Sequence, residues 1–424
     1  MKFIETIKRA FTLQDLRKKI LYTIALLLVF RFLTHVPLPF IDIQGLKSFF
    51  ENNQVLGMID LFSGGSISRF SIAMLGVGPY ITASIVIQLL TVVVPSLENL
   101  QKEGEYGRQK INQYTRYLSV PFGLIESFGL VKLLQSQGVV GVLTTEQLIF
   151  TLVLATAGSV FLMWIGELIS ENGIGNGLSI IIALGIIAGL PSQIVATAQI
   201  LDARYLIAAE IIIAAILVVI FIVLITEAER RIPVSYARRA SLGRTLSPVE
   251  SYLPIKPNAA GVIPIIFATS MLIMPNFLAQ YLKTANSVTL QNIGSVAGSF
   301  LSNNTYYTIL FFVLVFLFTF FYTSVIFQPN QMAENLQKQG GFVPGIRPGI
   351  QTAQYLSSVI YKVTFSGAIG ISIVAVFPFI LQSLTNIKTL AIGGTGILII
   401  VSVVLELVRQ IDAQLAMRSY DESY

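Results

Sequence analysis

The chain of 424 residues has no cysteine, one histidine, one tryptophan and only 12% charged residues. Without cysteine there are no disulfides, iron–sulfur clusters or thiol catalysis, although this names no compartment. A single histidine leaves no His-Glu-x-x-His zinc pair. No Walker phosphate loop is present, and no serine is paired with a histidine base. The one histidine, His35, falls at the outer end of the first apolar run and reads as a structural or interfacial residue. Nothing here predicts a cofactor, a metal or chemistry by this chain alone, so it does not read as an enzyme. The scarcity of charge also separates it from soluble domains, where about a quarter of residues are charged.

What the chain does have is apolar sequence, 54% of its residues, with a mean hydropathy of +0.75. This is grouped into runs of the length that crosses a hydrocarbon core of about 30 Å. Ten spans are predicted, at 20–36, 72–94, 117–134, 148–169, 178–196, 205–225, 259–277, 305–327, 359–381 and 392–407. An all-α membrane protein with both termini on one side follows. Twenty Lys and Arg residues lie in the termini and in the second, sixth and eighth connections, against five (Lys47, Arg69, Arg204, Lys283 and Lys388) on the other side. Because positive charge is retained in the cytoplasm, both termini are expected there. The net charge of +6 is explained by topology, without a nucleic acid. The basic start, Met1 to Lys19, has no small-residue cleavage site after it, so no removable signal peptide is expected.

Two of the basic-side loops, 227–258 and 328–354, are longer than joining neighbouring helices requires. The first is rich in arginine, and the second sets Arg347 among Pro344, Gly345, Pro348 and Gly349, which turn the chain sharply. Partner docking and simple enforcement of topology explain the arginines equally well. On the other side, residues 60–71 have helical spacing but too many polar and glycine residues for lipid contact. They fit either a segment filling a water-lined cavity or a helix resting on the membrane surface. Within the spans, Arg31, Glu126, Lys132, Glu210, Lys362 and Glu406 are scattered. Ion-coupled transporters instead gather such groups at the midplane.

Four motifs occur in order: Gly78-Pro-Tyr-Ile-Thr-Ala-Ser-Ile-Val-Ile-Gln-Leu-Leu90, Glu171-Asn-Gly-Ile-Gly-Asn-Gly-Leu-Ser179, Asn258-Ala-Ala-Gly-Val-Ile-Pro-Ile-Ile-Phe267 and Phe342-Val-Pro-Gly-Ile-Arg-Pro-Gly349. Together with the ten-span map, they resemble the SecY family of protein-conducting channels over almost the whole chain. The resemblance implies two pseudo-symmetric five-helix halves, 1–200 and 201–424, around an hourglass pore with a lateral gate. It implies a passive channel that passes unfolded polypeptides across a bacterial plasma membrane and releases apolar segments sideways into lipid. The expected partners are the small subunits SecE and SecG, with the SecA motor ATPase or a ribosome supplying the drive.

By the same resemblance the pore ring is Ile81, Ile85, Ile182, Ile186, Ile266 and Ile399. Ile81 and Ile85, like Ile182 and Ile186, are also i, i+4 pairs, which share one helical face. The implied plug helix is Asp60, Leu61, Phe62, Ser63, Gly64, Gly65, Ser66, Ile67, Ser68 and Arg69, running on to Ser71, and the implied lateral gate includes Gln88, Thr269 and Ser270. Arg238, Arg239 and Arg347 are the implied docking residues. The fourth connection, 167–177, carries no Lys or Arg, so its cytoplasmic placement rests on parity and on the family.

Overall fold

A computed structural model describes residues 13–421 apart from 40–59, 61–62, 137, 139, 142, 202–204, 237–248, 284–286 and 386–388. The first group of helices is α1 (Gln14–Leu33), α2 (Gly78–Val93), α3 (Pro95–Lys102), α4 (Glu105–Ser136), α5 (Thr145–Asn172) and α6 (Gly177–Leu201). The second begins with α7 (Tyr205–Glu227), followed by strands β1 (Arg230–Tyr236) and β2 (Val249–Ile255). Then come α8 (Ile263–Leu282), α9 (Val288–Ser302), α10 (Asn304–Ile326), α11 (Pro329–Lys338), β3 (Gly341–Phe342), α12 (Ile350–Thr385) and α13 (Thr389–Asp421). Ten of these helices stand where the ten apolar runs fall.

Local chemistry sets several boundaries. Pro79 and Pro95 occupy first turns, where a missing N–H costs nothing. Val94, held extended before Pro95, ends α2, and α3 leaves it at 99°. Thr144 and Gln147 form a reciprocal capping box at the start of α5. The second span starts later than its apolar run suggests. Residues 72–77 are turns, not helix, with Gly76 in the left-handed region at φ +56°. The third and ninth spans start earlier, since α4 and α12 extend beyond the apolar runs into their flanking polar segments.

Each group of helices packs chiefly with its chain neighbours. The groups touch chiefly through α6 on α13 at one side and through α8 on α2 and α4 at the other. The fourth connection is short because its glycines let α5 and α6 close up. A Cβ on Gly177 would meet the Gly166 carbonyl oxygen at 1.9 Å, and the Ile174 N–H donates to Thr23 Oγ1 of α1 at 3.3 Å.

At the end of the bundle that holds β1, β2 and β3, called the sheet end, the two long loops join. β1 pairs antiparallel with β2 from Arg230↔Ile255 to Tyr236↔Val249. Its other edge takes β3 from the second loop, Ser235↔Phe342 and Tyr236↔Gly341. Ile232, Ile255, Val343, Ala333, Leu356 and Ile360 bury a small core beneath this sheet and bind both loops to α11 and α12.

Candidate functional site

The middle of the bundle is aliphatic. Ile182, Ile186, Ile266 and Ile399, from α6, α8 and α13, belong to one buried cluster, and Ile81 of α2 packs against it. Ile85 instead lies in the neighbouring cluster with Phe311, Phe379 and Ile265, and Ile81 touches both. Such a surface excludes water and carries no charge.

Against this centre, at the end opposite the sheet, lies the segment after Asp60. Asp60 is helical and residues 63–70 turn; Leu61 and Phe62 lie outside the described residues. One carboxylate oxygen of Asp60 accepts from the Ile67 N–H at 3.0 Å and the Ser68 N–H at 2.8 Å, closing the turns on themselves. Ser66 Oγ stands 2.8 Å from the carbonyl oxygens of both Ser63 and Ala73, which share its one hydroxyl proton. Ile67, Phe70 and Met74 are buried with Leu130, Leu133 and Leu134 of α4. Phe70 is held at φ +46°, unusual for an aromatic residue. A two-residue bridge fixes the exit from the segment: Leu38 N–H donates to Phe70 O at 2.8 Å, and Ile72 N–H to Val36 O at 3.0 Å.

The first helix holds the same segment from its side. Arg31 Nη1 donates to the Gly64 carbonyl at 3.2 Å. His35 Nδ1 stands 2.8 Å from the Arg31 carbonyl, and its Nε2 stands 2.6 Å from Arg69 Nη1. Arg31 was legible as an isolated charge in an apolar run; the atom it serves was not. Glu126 of α4 is likewise tied inward, accepting from Thr82 Oγ1 of α2 at 2.9 Å.

Between the two groups of helices, Thr269 is buried and donates to the Ile266 carbonyl at 2.8 Å, and Ser270 is half-buried. Gln88 Nε2 donates to Ser84 Oγ at 3.2 Å, while its enclosed Oε1 has no hydrogen-bond partner among the described residues. Gln88 faces a groove of about 580 Å³ that opens between α2, α3 and α4 on one side and α10 and α11 on the other.

At the sheet end Arg347 is exposed, between Gly345 at φ +81° and Gly349 at φ +99°. Its carbonyl accepts from Thr352 Oγ1 at 2.9 Å, and its guanidinium forms no ion pair among the described residues. Arg238 and Arg239 lie outside the described residues. At the end of α7, Arg409 is fastened to Glu227 at 2.7 Å. Partial burial, and then the charge of Arg409, hold Lys256 below the ordinary lysine range against the opposing pull of Glu227 and Glu229.

A helical membrane bundle with an aliphatic centre, faced by a turned segment tied in place by side chains, has the build of a membrane-transport channel subunit. The chain belongs to the SecY family, whose profile matches residues 71–408. It is 40% identical to the protein translocase subunit SecY of Streptomyces coelicolor, over 97% of this chain and 98% of that one. It is also 40% identical to the same subunit of Thermotoga maritima, over 98% and 97%. Among solved structures, one described as a protein conducting channel superposes with a TM-score of 0.63 at 20% identity, over 93% of this chain and 91% of that one. Sec61 in the canine ribosome-channel complex gives 0.59 at 19%, over 93% and 91%. The protein is a SecY-family translocase subunit.

Proposed function

We propose that this chain is the passive pore of a bacterial plasma-membrane translocon, with both termini and the sheet end in the cytoplasm. Unfolded secretory polypeptides pass between the five-helix halves 1–200 and 201–424. Ile81, Ile85, Ile182, Ile186, Ile266 and Ile399 form the constriction, and the segment from Asp60 to Ser71 is the plug on its outer side. Apolar segments leave for lipid where α8 and α10 part from α2 and α4, past Gln88, Thr269 and Ser270. SecA or a ribosome docks on the loops at Arg238, Arg239 and Arg347 and supplies the energy, and SecE and SecG complete the complex.

The observation that carries this reading is the seat of the plug: the Gly64 backbone lies against Gly185 of α6, the residue next to Ile186. The test is a photo-crosslinker at position 81 or 186 in vesicles that hold a stalled secretory chain. Adducts to that chain at both positions are expected, and adducts only to the protein's own helices would overturn the reading.

A further inference from the structure

Helix α9 belongs to none of the four motifs and to none of the pore, plug or docking elements. It joins α8 to α10 at the plug end, and its faces differ in chemistry. One face is glycine. A Cβ on Gly294 would meet the backbone of Lys283 at 2.7 Å and of Ala279 at 2.8 Å, and one on Gly298 would meet the Lys283 side chain at 2.6 Å. At Gly294 only glycine lets the two backbones approach this closely, so α9 is seated on the end of α8. A second face carries Asn292, Ser295 and Ser299, all exposed.

The third edge is apolar and uncovered. Ile293, Val296 and Phe300, at i, i+3 and i+7, are 56%, 69% and 46% exposed. Large apolar groups aligned this way mark a surface that something covers. Its occupant follows from what adjoins it. The Phe300 ring stacks on Tyr306 of α10 at 5.0 Å, with the ring planes 10° apart. Beyond Tyr306, α10 exposes Ile309, Val313 and Leu317 along its membrane-spanning length. The apolar edge of α9 therefore continues a surface that acyl chains cover, and Tyr306 sits where interfacial tyrosines gather.

We propose that α9 is a membrane-surface anchor: Ile293, Val296 and Phe300 sink among the lipid chains of the plug-side leaflet, while Asn292, Ser295 and Ser299 face water. The anchor itself does not depend on the translocation reading. Its consequence for the gate does, because α8 and α10 are the helices that α9 would hold at the depth of the bilayer surface.

The absence of cysteine makes the test clean. Single variants Val296→Cys, Ser295→Cys and Ser299→Cys of the full chain would carry a nitroxide label in nanodiscs of phosphatidylglycerol and phosphatidylethanolamine. Relaxation by oxygen, which partitions into lipid, would be compared with relaxation by a water-soluble nickel chelate. Oxygen should dominate several-fold at 296, and the chelate at 295 and 299. Chelate dominance at 296 would put the edge in water and overturn the proposal. Protection of 296 from both reagents would also overturn it, by showing that a second copy or another subunit covers the edge.

Discussion

Gly64 and Gly185 meet backbone to backbone: a Cβ built on Gly64 would stand 3.1 Å from the Gly185 Cα. The neighbouring Gly65 has nearly the same conformation, φ +76° against +75°, but nothing within 4 Å of its Cβ position. The pair therefore separates two effects that usually travel together.

Gly64→Ala and Gly65→Ala should each cost about 1–2 kcal/mol for the left-handed backbone, but only Gly64→Ala must also shift the segment against α6 by a few tenths of an ångström. Resting ion conductance in planar bilayers should rise clearly for Gly64→Ala and little for Gly65→Ala. Equal leaks would mean that backbone strain, and not the contact with α6, governs how this segment seats.

Asp60→Ala removes the acceptor shared by the Ile67 and Ser68 amides. Leaving enclosed donors unmet costs about 1–3 kcal/mol. Hydrogen exchange of peptides covering 63–71 should accelerate by about tenfold or more, while α5 and α12 exchange as before. Unchanged exchange would show that the packing of Ile67 and Phe70 alone holds these turns.

Ile186 is fully buried in the aliphatic cluster, so Ile186→Ser both opens space and invites water. A loss of about 2–4 kcal/mol is expected at such a site, together with a resting leak of ions. Ile85→Ser, in the neighbouring cluster, should destabilise comparably and leak less. If the two leak alike, the seal extends beyond the cluster that holds Ile186.

Arg347→Glu reverses an exposed charge that no described carboxylate neutralises. Losing a hydrogen-bonded charged contact with a partner costs about 2–5 kcal/mol. SecA-driven transport of a secretory precursor into vesicles should fail, while thermal stability stays near that of the parent protein. Full transport would remove Arg347 from the docking surface.

Much of the architecture was legible because spans are written as apolar runs. The second span was misjudged at its start, since Ile72 to Val77 are as apolar as a helix, and only packing reveals that they turn. Helix α9 escaped notice because it is short and carries two glycines, a poor helical signature that makes sense only once α8 lies against it. The pairing of Tyr236 with Gly341 joins residues a hundred positions apart, which no local pattern encodes. The isoleucines came from family resemblance, since an isoleucine in a span ordinarily means packing or lipid. That resemblance did not foresee that Ile85 packs in the neighbouring cluster, or that Arg31 donates to the Gly64 carbonyl and His35 meets Arg69.

Helix α12 begins three residues after Arg347 and continues for 36 residues, about 54 Å at the α-helical rise. In mechanical terms the loop is a handle and the helix a lever arm, with its packing on α10 and α13 as the fulcrum. The sheet that joins both loops stiffens the grip, so thrust from whatever seizes the tip enters a rod and not a slack tether.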